Sequence, residues 1–299
     1  MNPVHIIDLA FRAHEGVIAA FAIETSGGLA LVETGPYSTH HALCQGLESR
    51  GLDPARVTDV FLTHIHLDHA GGAWAWAEAG ATIHVHPFGL RHLASPEKLM
   101  ASAKRIYGHE MDRLWGDMRP IPEDRLHPVN DGDEVNVADI SLQAWHTPGH
   151  ARHHIAWQLE GGLFTGDVAG VSVNEGLAVP PTPPPDIDLD EWRASLAKLR
   201  SLQPDRLYLT HFGTIEEPAA FLTDFEARLE RWGNWVREQV ASGRENGEIE
   251  EAFKGFVREE LEEAGLDEET CWRYESVNPA WMGGPGLIRY WRQQGVGLD

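Results

Sequence analysis

The stretch Val60-Phe61-Leu62-Thr63-His64-Ile65-His66-Leu67-Asp68-His69-Ala70-Gly71-Gly72 packs four metal-capable side chains into six residues directly after an apolar run. Such a run reads as a buried strand, and the polar residues behind it as a loop leaving the strand's end. Imidazole and carboxylate are ligands for zinc, iron or manganese. Their alternate spacing lets His64 and His66 face one ion while Asp68 and His69 turn toward another. Ala70-Gly71-Gly72 then leaves the backbone unencumbered where the loop turns into a helix.

Upstream of the loop, residues 4–9, 17–23 and 29–32 read as strands, with Ser26-Gly27-Gly28 as a hairpin turn. Residues 39–50 read as a helix ending at Gly51, and 57–62 as the strand that delivers the histidines. Downstream come a helix at 73–79 and a strand at 82–85. A helical insertion at about 96–120 comes next, with Met100, Ile106, Met111, Leu114 and Trp115 at helical spacing. The strand pattern returns at 134–137, 140–145, 155–159 and 163–165, where Gly161-Gly162 supplies a hairpin turn. Two strand-rich halves, each with helices behind it, predict two stacked sheets with outer helical layers.

Three further polar residues stand just past apolar strands. His150 ends the turn His146-Thr147-Pro148-Gly149-His150, Asp167 comes after Phe164-Thr165-Gly166, and His211 after Leu207-Tyr208-Leu209-Thr210. Core packing gives no reason for three strands to end in this way. Between Asp167 and His211, the proline-rich span 179–185 is neither helix nor central strand and reads as an ordered loop near the site. A helix at 189–202 and a strand at 206–210 complete the first part. Residues 218–241, 246–265 and 271–292 read as a C-terminal helical appendage. Its aromatics, Trp272, Trp281, Tyr290 and Trp291, are expected to pack on the main domain or to form a homo-oligomer interface.

At 299 residues the chain suits one large domain with an appendage, here divided as 1–217 and 218–299. With 24 Lys and Arg against 46 Asp and Glu, its net charge of −22 repels phosphate backbones and anionic membranes. A small molecule is therefore the expected partner, with no nucleic acid and no membrane. The N-terminus shows no basic region leading into an apolar run and cleavage site, so the expected address is the cytoplasm. Cys44 and Cys271 are too few and too far apart for a disulfide framework.

The combination of His64-x-His66-x-Asp68-His69, His150 in Thr-Pro-Gly-His, Asp167 in Thr-Gly-Asp and the late His211 resembles the metallo-β-lactamase superfamily over roughly residues 4–215. Glu33-Thr34-Gly35 stands where that superfamily often has Asp-Thr-Gly, a departure that bears on loop support more than on metal binding. The resemblance implies an α+β fold, a four-layer αββα sandwich with metals at the sheet edges. It also implies that His64, His66 and His150 bind one divalent ion, that Asp68, His69 and His211 bind the other, and that Asp167 bridges them. Two zinc ions are the expected cofactors, iron or manganese being the alternatives.

The activity that the resemblance implies is that of a dinuclear hydrolase. A metal-bridging hydroxide would attack an ester-type bond of a small molecule, with Asp68 as the catalytic residue that orients the nucleophile or relays its proton. A bridging carboxylate points away from zinc β-lactamases and toward the glyoxalase II and lactonase-like branches. Glyoxalase II enzymes carry Gly-Cys-Gly-Arg-Phe-Phe after the bridging Asp, where this chain has Val168-Ala169-Gly170-Val171-Ser172-Val173, so glutathione thioesters are not the expected substrate. Homoserine-lactone hydrolases share the ligand set, but the sequence singles out no tyrosine as the equivalent of their substrate-contacting one. The alternatives are a mononuclear iron sulfur dioxygenase-like oxidoreductase, a phosphodiesterase, and a non-catalytic binding module.

Other residues receive more modest roles. His84 and His86 are expected to be structural, and His86-Pro87 to begin a loop. His153 or His154 is expected to hydrogen-bond a metal ligand rather than to be one. Tyr107, Met111 and Trp115 of the insertion are candidates to line an apolar pocket for an acyl portion of the substrate, its size set also by the loop 170–188 and the C-terminal helices.

Overall fold

The computed structural model describes residues 2–173 and 176–297, so part of the expected loop 170–188 lies outside the described residues. Two units emerge: residues 1–146 with 153–166, and residues 147–152 with 167–299.

In the first unit, strands β1 (Val4–Asp8), β2 (Ala19–Thr25), β3 (Gly28–Val32), β4 (Val57–Phe61), β5 (Thr82–Val85) and β6 (Leu126–Pro128) form one sheet in sequence order. β1 to β3 are antiparallel, and β3 to β6 run parallel. The β2–β3 hairpin is the one expected at Gly27-Gly28: Thr25 Oγ1 accepts from the Gly27 and Gly28 amides at 3.2 and 3.0 Å. All five β3 residues are buried, so both faces of the strand are covered and its sequence is continuously apolar. Parallel neighbours place their C-terminal ends side by side, which brings the residues after β3 and β4, Glu33 and Thr63, to one edge of the sheet.

Strands β7 (Glu134–Val137), β8 (Ile140–His146), β9 (Ile155–Leu159) and β10 (Gly162–Phe164) form an antiparallel run in this unit. β7 alternates exposed and buried residues, as expected of a strand with one wet face. Aromatic contacts join the run to the first sheet. Phe21 meets Phe164 edge-on at 5.2 Å, and Trp157 lies 5.0 Å from Phe61 with its indole N–H donating to the Leu62 carbonyl.

Helices α1 (His40–Glu48), α2 (Leu67–Ala70), α3 (Ala73–Glu78), α4 (Pro87–Ala94), α5 (Glu97–Tyr107) and α6 (Met111–Leu114) complete the unit, α1, α3 and α4 packing on the first sheet. The loop expected after His86 is helix α4. His86 caps it, accepting from the Phe88 amide, and Pro87 occupies the first turn, where its missing N–H costs nothing. The helices of the expected insertion are α5 and α6, the latter ending at Leu114.

Among the described residues, the second unit holds a β-hairpin, β11 (Arg206–Leu209) with β12 (Gly213–Ile215), and the α-helices α7 (Leu189–Ser201), α8 (Pro218–Ala241), α9 (Asn246–Glu263), α10 (Glu268–Val277) and α11 (Ala280–Gln293). Asp188 caps α7 by accepting from the Asp190 and Glu191 amides. Leu222, Phe225, Leu229, Trp232 and Val236 recur every three or four residues along α8 and are buried, as are Ile249, Phe253, Val257 and Leu261 along α9. Where these helices meet, Trp232 stands edge-on to Phe253 at 5.3 Å, and the buried Glu260 carboxylate accepts from Arg228, Arg231 and Trp232. Trp272 and Trp281 remain partly exposed, while Tyr290 is buried and the Trp291 indole donates to the Gly233 carbonyl. The α+β class and the C-terminal helices are as the sequence predicts. No described helix is long and apolar enough to cross a membrane.

Candidate metal centre

The histidine loop leaves β4 as expected, and its last residues form the short helix α2. His64 and His69 are fully buried, while His66 and Asp68 are half-buried. His64 Nε2 and His66 Nδ1 lie 3.0 Å apart, close to the spacing of about 3.4 Å between two nitrogens that share a tetrahedral zinc at about 2.1 Å. Asp68 Oδ2 and His69 Nε2 converge to 3.9 Å.

Glu33 accounts for the orientation of this set. Its side chain is completely buried, and it accepts from His69 Nδ1–H at 3.0 Å, from the Thr63 hydroxyl and from the Thr63 amide. With its proton given to Glu33, the Thr63 oxygen is left to accept from His64 Nδ1–H at 3.0 Å. Both Nδ1 atoms are thereby committed, and both Nε2 lone pairs stay available to a metal. Glu33, His64 and His69 have donor atoms within 4.8 Å of one another, but the hydrogen bonds already taken up by Glu33 make it the support of the set. Thr34 adds backbone and hydroxyl bonds to the His69 carbonyl, each 2.9 Å.

In the second unit, His150, Asp167 and His211 come together although far apart in sequence. Asp167 Oδ2 lies 3.3 Å from His150 Nε2 and Asp167 Oδ1 3.5 Å from His211 Nε2, all three side chains being at least nine-tenths buried. His150 Nδ1–H donates to the Pro181 carbonyl at 2.8 Å, which fixes the tautomer that frees Nε2. Its turn is clasped by α7: the Ser195 hydroxyl donates to the Pro148 carbonyl and the Asp188 amide to the Gly149 carbonyl. Gly149 has φ of 133°, and a Cβ there would lie 2.4 Å from Trp192 Cα, so only glycine lets the turn approach α7. The His211 carbonyl accepts from the Ser172 amide, and the Ser172 carbonyl from the Phe212 amide.

Of the partners that orient these rings, Glu33 lies in the segment expected to support the loop, but Thr63 and Pro181 were not singled out in the sequence. Thr63 was legible only as a residue beside His64, and a backbone carbonyl such as that of Pro181 carries no sequence signal. Of the two further histidines, His154 is completely buried with its ring stacked 5.1 Å from that of His64, and His153 lies 6.2 Å from both His64 and His66. His84 is structural, bonded to Asp59 at 2.8 Å and stacked on Phe61; burial lowers its pKa against the pull of Asp59.

The insertion is docked beside the loop. Ser38 bonds to the Leu114 and Trp115 carbonyls, and the Trp74 indole donates to the Asp117 carbonyl. Trp115 stacks on Phe11 at 5.7 Å and meets Tyr107 edge-on at 5.0 Å, whereas Met111 is buried in the core. Burial, reinforced by the Asp68 carboxylate, pushes the Tyr107 phenol above its usual range and keeps it a proton donor.

The donor chemistry, imidazoles and carboxylates among buried or half-buried neighbours with outer nitrogens tied down, suits divalent transition metals. The family model described as metallo-beta-lactamase superfamily matches residues 15–211. The metallo-beta-lactamase fold-containing protein ST1585 of Sulfurisphaera tokodaii is 31% identical over 160 residues, 52% of this chain and 60% of that protein. The hydroxyacylglutathione hydrolase of Aeromonas hydrophila is 31% identical over 157 residues, 52% of this chain and 48% of that enzyme. The chain thus matches about half of the length of such relatives. The structure of metallo-beta-lactamase family protein TTHA1429 from Thermus thermophilus shares the fold, with a TM-score of 0.64 at 24% identity over 98% of this chain and 94% of that one.

Proposed function

Because the chain belongs to the metallo-β-lactamase superfamily, we propose that it is a dinuclear metal-dependent hydrolase acting on an ester-type bond of a small molecule, a thioester or a lactone. The Asp167 carboxylate carries this reading, since it offers one oxygen toward His150 and the other toward His211, as a bridge between two ions requires. In the partition the resemblance implies, His64, His66 and His150 would hold one ion, Asp68, His69 and His211 would hold the second, and Asp167 would serve both. Zinc is the proposed metal. When bound, the ions supply Lewis acidity at a carbonyl and bring the ionisation of water toward neutral pH.

The protein's own part is orientation and proton handling. Glu33, Thr63 and Pro181 hold three imidazoles in the tautomer that presents Nε2. Asp68, the half-buried carboxylate of the loop, holds or relays a proton at Oδ2. Tyr107 and Trp115 offer an aromatic wall for the acyl portion of the substrate. The hydroxyacylglutathione hydrolase relative supports a thioester, while the residues 168–173 favour an acyl carrier other than glutathione.

Elemental analysis of protein purified without added metal, paired with hydrolysis assays on a thioester, a lactone and a phosphodiester, tests the proposal. The expected result is about two zinc per chain with thioester or lactone turnover. One iron per chain with oxygen uptake on a persulfide, and no hydrolysis, would overturn it. Trp115→Ala is expected to lower kcat/KM for long acyl chains by about tenfold and for acetyl esters far less.

A further inference from the structure

The loop 176–188 has an unusual hydrogen-bonding problem. Val179 forms a β-bridge with Val171, but Pro180, Pro181, Pro183, Pro184 and Pro185 have no amide hydrogen, so the stretch 180–185 cannot continue that pairing as a ladder and offers mainly its carbonyls. Donors from the helices fill that need one carbonyl at a time. The Leu177 carbonyl accepts from the Tyr274 hydroxyl at 2.7 Å, Ala178 from the buried Arg228 guanidinium at 2.7 Å, Pro180 from the Asn278 amide at 3.1 Å and Pro185 from Arg289 at 3.2 Å. The buried Thr182 hydroxyl donates in turn to the Gly283 carbonyl at 3.1 Å. The α11 face against the loop is made of glycines, and a Cβ on Gly286 would stand 1.9 Å from the Thr182 carbonyl oxygen.

Pro181, flanked by the two residues that Asn278 and α11 grip, carries the carbonyl that accepts from His150 Nδ1–H. We propose that the C-terminal helices are part of the metal centre's scaffold, with Asn278 and the Thr182–Gly283 bond acting as positioning groups that hold the Pro181 carbonyl and through it the His150 imidazole. This rests on the reading of His150 as a metal ligand. The helices thereby gain a function beyond packing: they set the affinity for the ion bound by His150 while making no bond to it. A carbonyl free to move would let the ring rotate, and misoriented imidazole ligands bind metal more weakly by about 10- to 100-fold.

The test is zinc affinity and stoichiometry, measured on the full chain by competition with a chromogenic chelator and by elemental analysis. The set comprises the wild type, His150→Ala, Asn278→Ala, Thr182→Val and Thr182→Ser, with circular dichroism to verify folding. His150→Ala is expected to lose one of two ions. Asn278→Ala and Thr182→Val should weaken the same ion by about tenfold and leave the other unchanged, and Thr182→Ser, which keeps the hydroxyl, should restore it. If His150→Ala changes nothing, the ligand assignment fails and the positioning role with it. If His150→Ala loses an ion while Asn278→Ala and Thr182→Val bind as the wild type, or if they weaken both ions equally, the positioning role alone is overturned.

Discussion

His64, His66, Asp68 and His69 lie within six consecutive residues, whereas His150, Asp167 and His211 come from three separate strand ends of the sequence. The first set is oriented by close neighbours: Thr63, next to His64, and Glu33, one strand away at the adjacent end of β3, tie down two imidazoles. The second is oriented over longer distances, by α7 packed on Gly149 and by the Pro181 carbonyl that the C-terminal helices hold. A contiguous set needs only a strand end and one buried acid to work. A dispersed set transfers the cost of alignment to the tertiary structure, and so its donors respond to substitutions far along the chain.

The largest test of this contrast falls on the contiguous set. Asp68→Ala is expected to reduce kcat by about 10³-fold and to lose much of one ion, as read by steady-state kinetics and elemental analysis. Turnover at the wild-type level would remove Asp68 from the chemistry.

Gly149→Ala probes the dispersed set at its tightest approach. The new Cβ meets the Trp192 backbone at a φ of 133°, so a loss of roughly 2 kcal/mol or more is expected, seen as a Tm lower by about 5 °C, together with weakened binding of one ion. An unchanged Tm would mean that the α7 clasp yields and that His150 is held by Pro181 alone.

Glu33→Gln keeps the volume of the buried side chain but removes its charge. Metal affinity should fall by about 10-fold or more through His69, with the fold intact by circular dichroism. Equal loss in Glu33→Gln and Asn278→Ala of the same ion would merge the two sets into one cooperative network and dissolve the contrast.

The smallest effect lies outside both sets. Burial, helped by the neighbouring His146, pushes His86 down to about 4, and its Nδ1 accepts from the Phe88 amide, as a neutral ring does. With the folded value below the unfolded one of about 6.5, the unfolded chain binds the extra proton first. Stability from this group is then full above about pH 6.5 and declines as pH falls from there toward about 4. The half-exposed ring limits this to a Tm change of a few degrees. His86→Asn, which retains a capping acceptor, should flatten the slope of metal-free Tm over that window; an unaltered slope would assign it to other groups.

The histidine loop, its strand and its hairpin partners were readable because their signals are local: apolar runs of fixed period, glycines at the turn, donors at alternate positions. His150, Asp167 and His211 were legible as polar residues after apolar strands, and the resemblance grouped them. Helix α4 was not, since His86-Pro87 serves equally as the start of a loop and as a cap with proline in the first turn. For Met111, helical spacing marked a buried face and left core packing and pocket lining both open, and the structure places it in the core.

By itself, then, the sequence determined which residues carry donor atoms, which strands deliver them and the family the chain belongs to. Tertiary structure alone decided which ring nitrogen each histidine presents, which groups the buried Glu33 holds, and that a proline loop gripped by C-terminal helices holds His150. The reason is physical: side-chain identity and periodicity are written residue by residue, whereas a backbone carbonyl is present at every position and becomes a specific partner only where folding aims it.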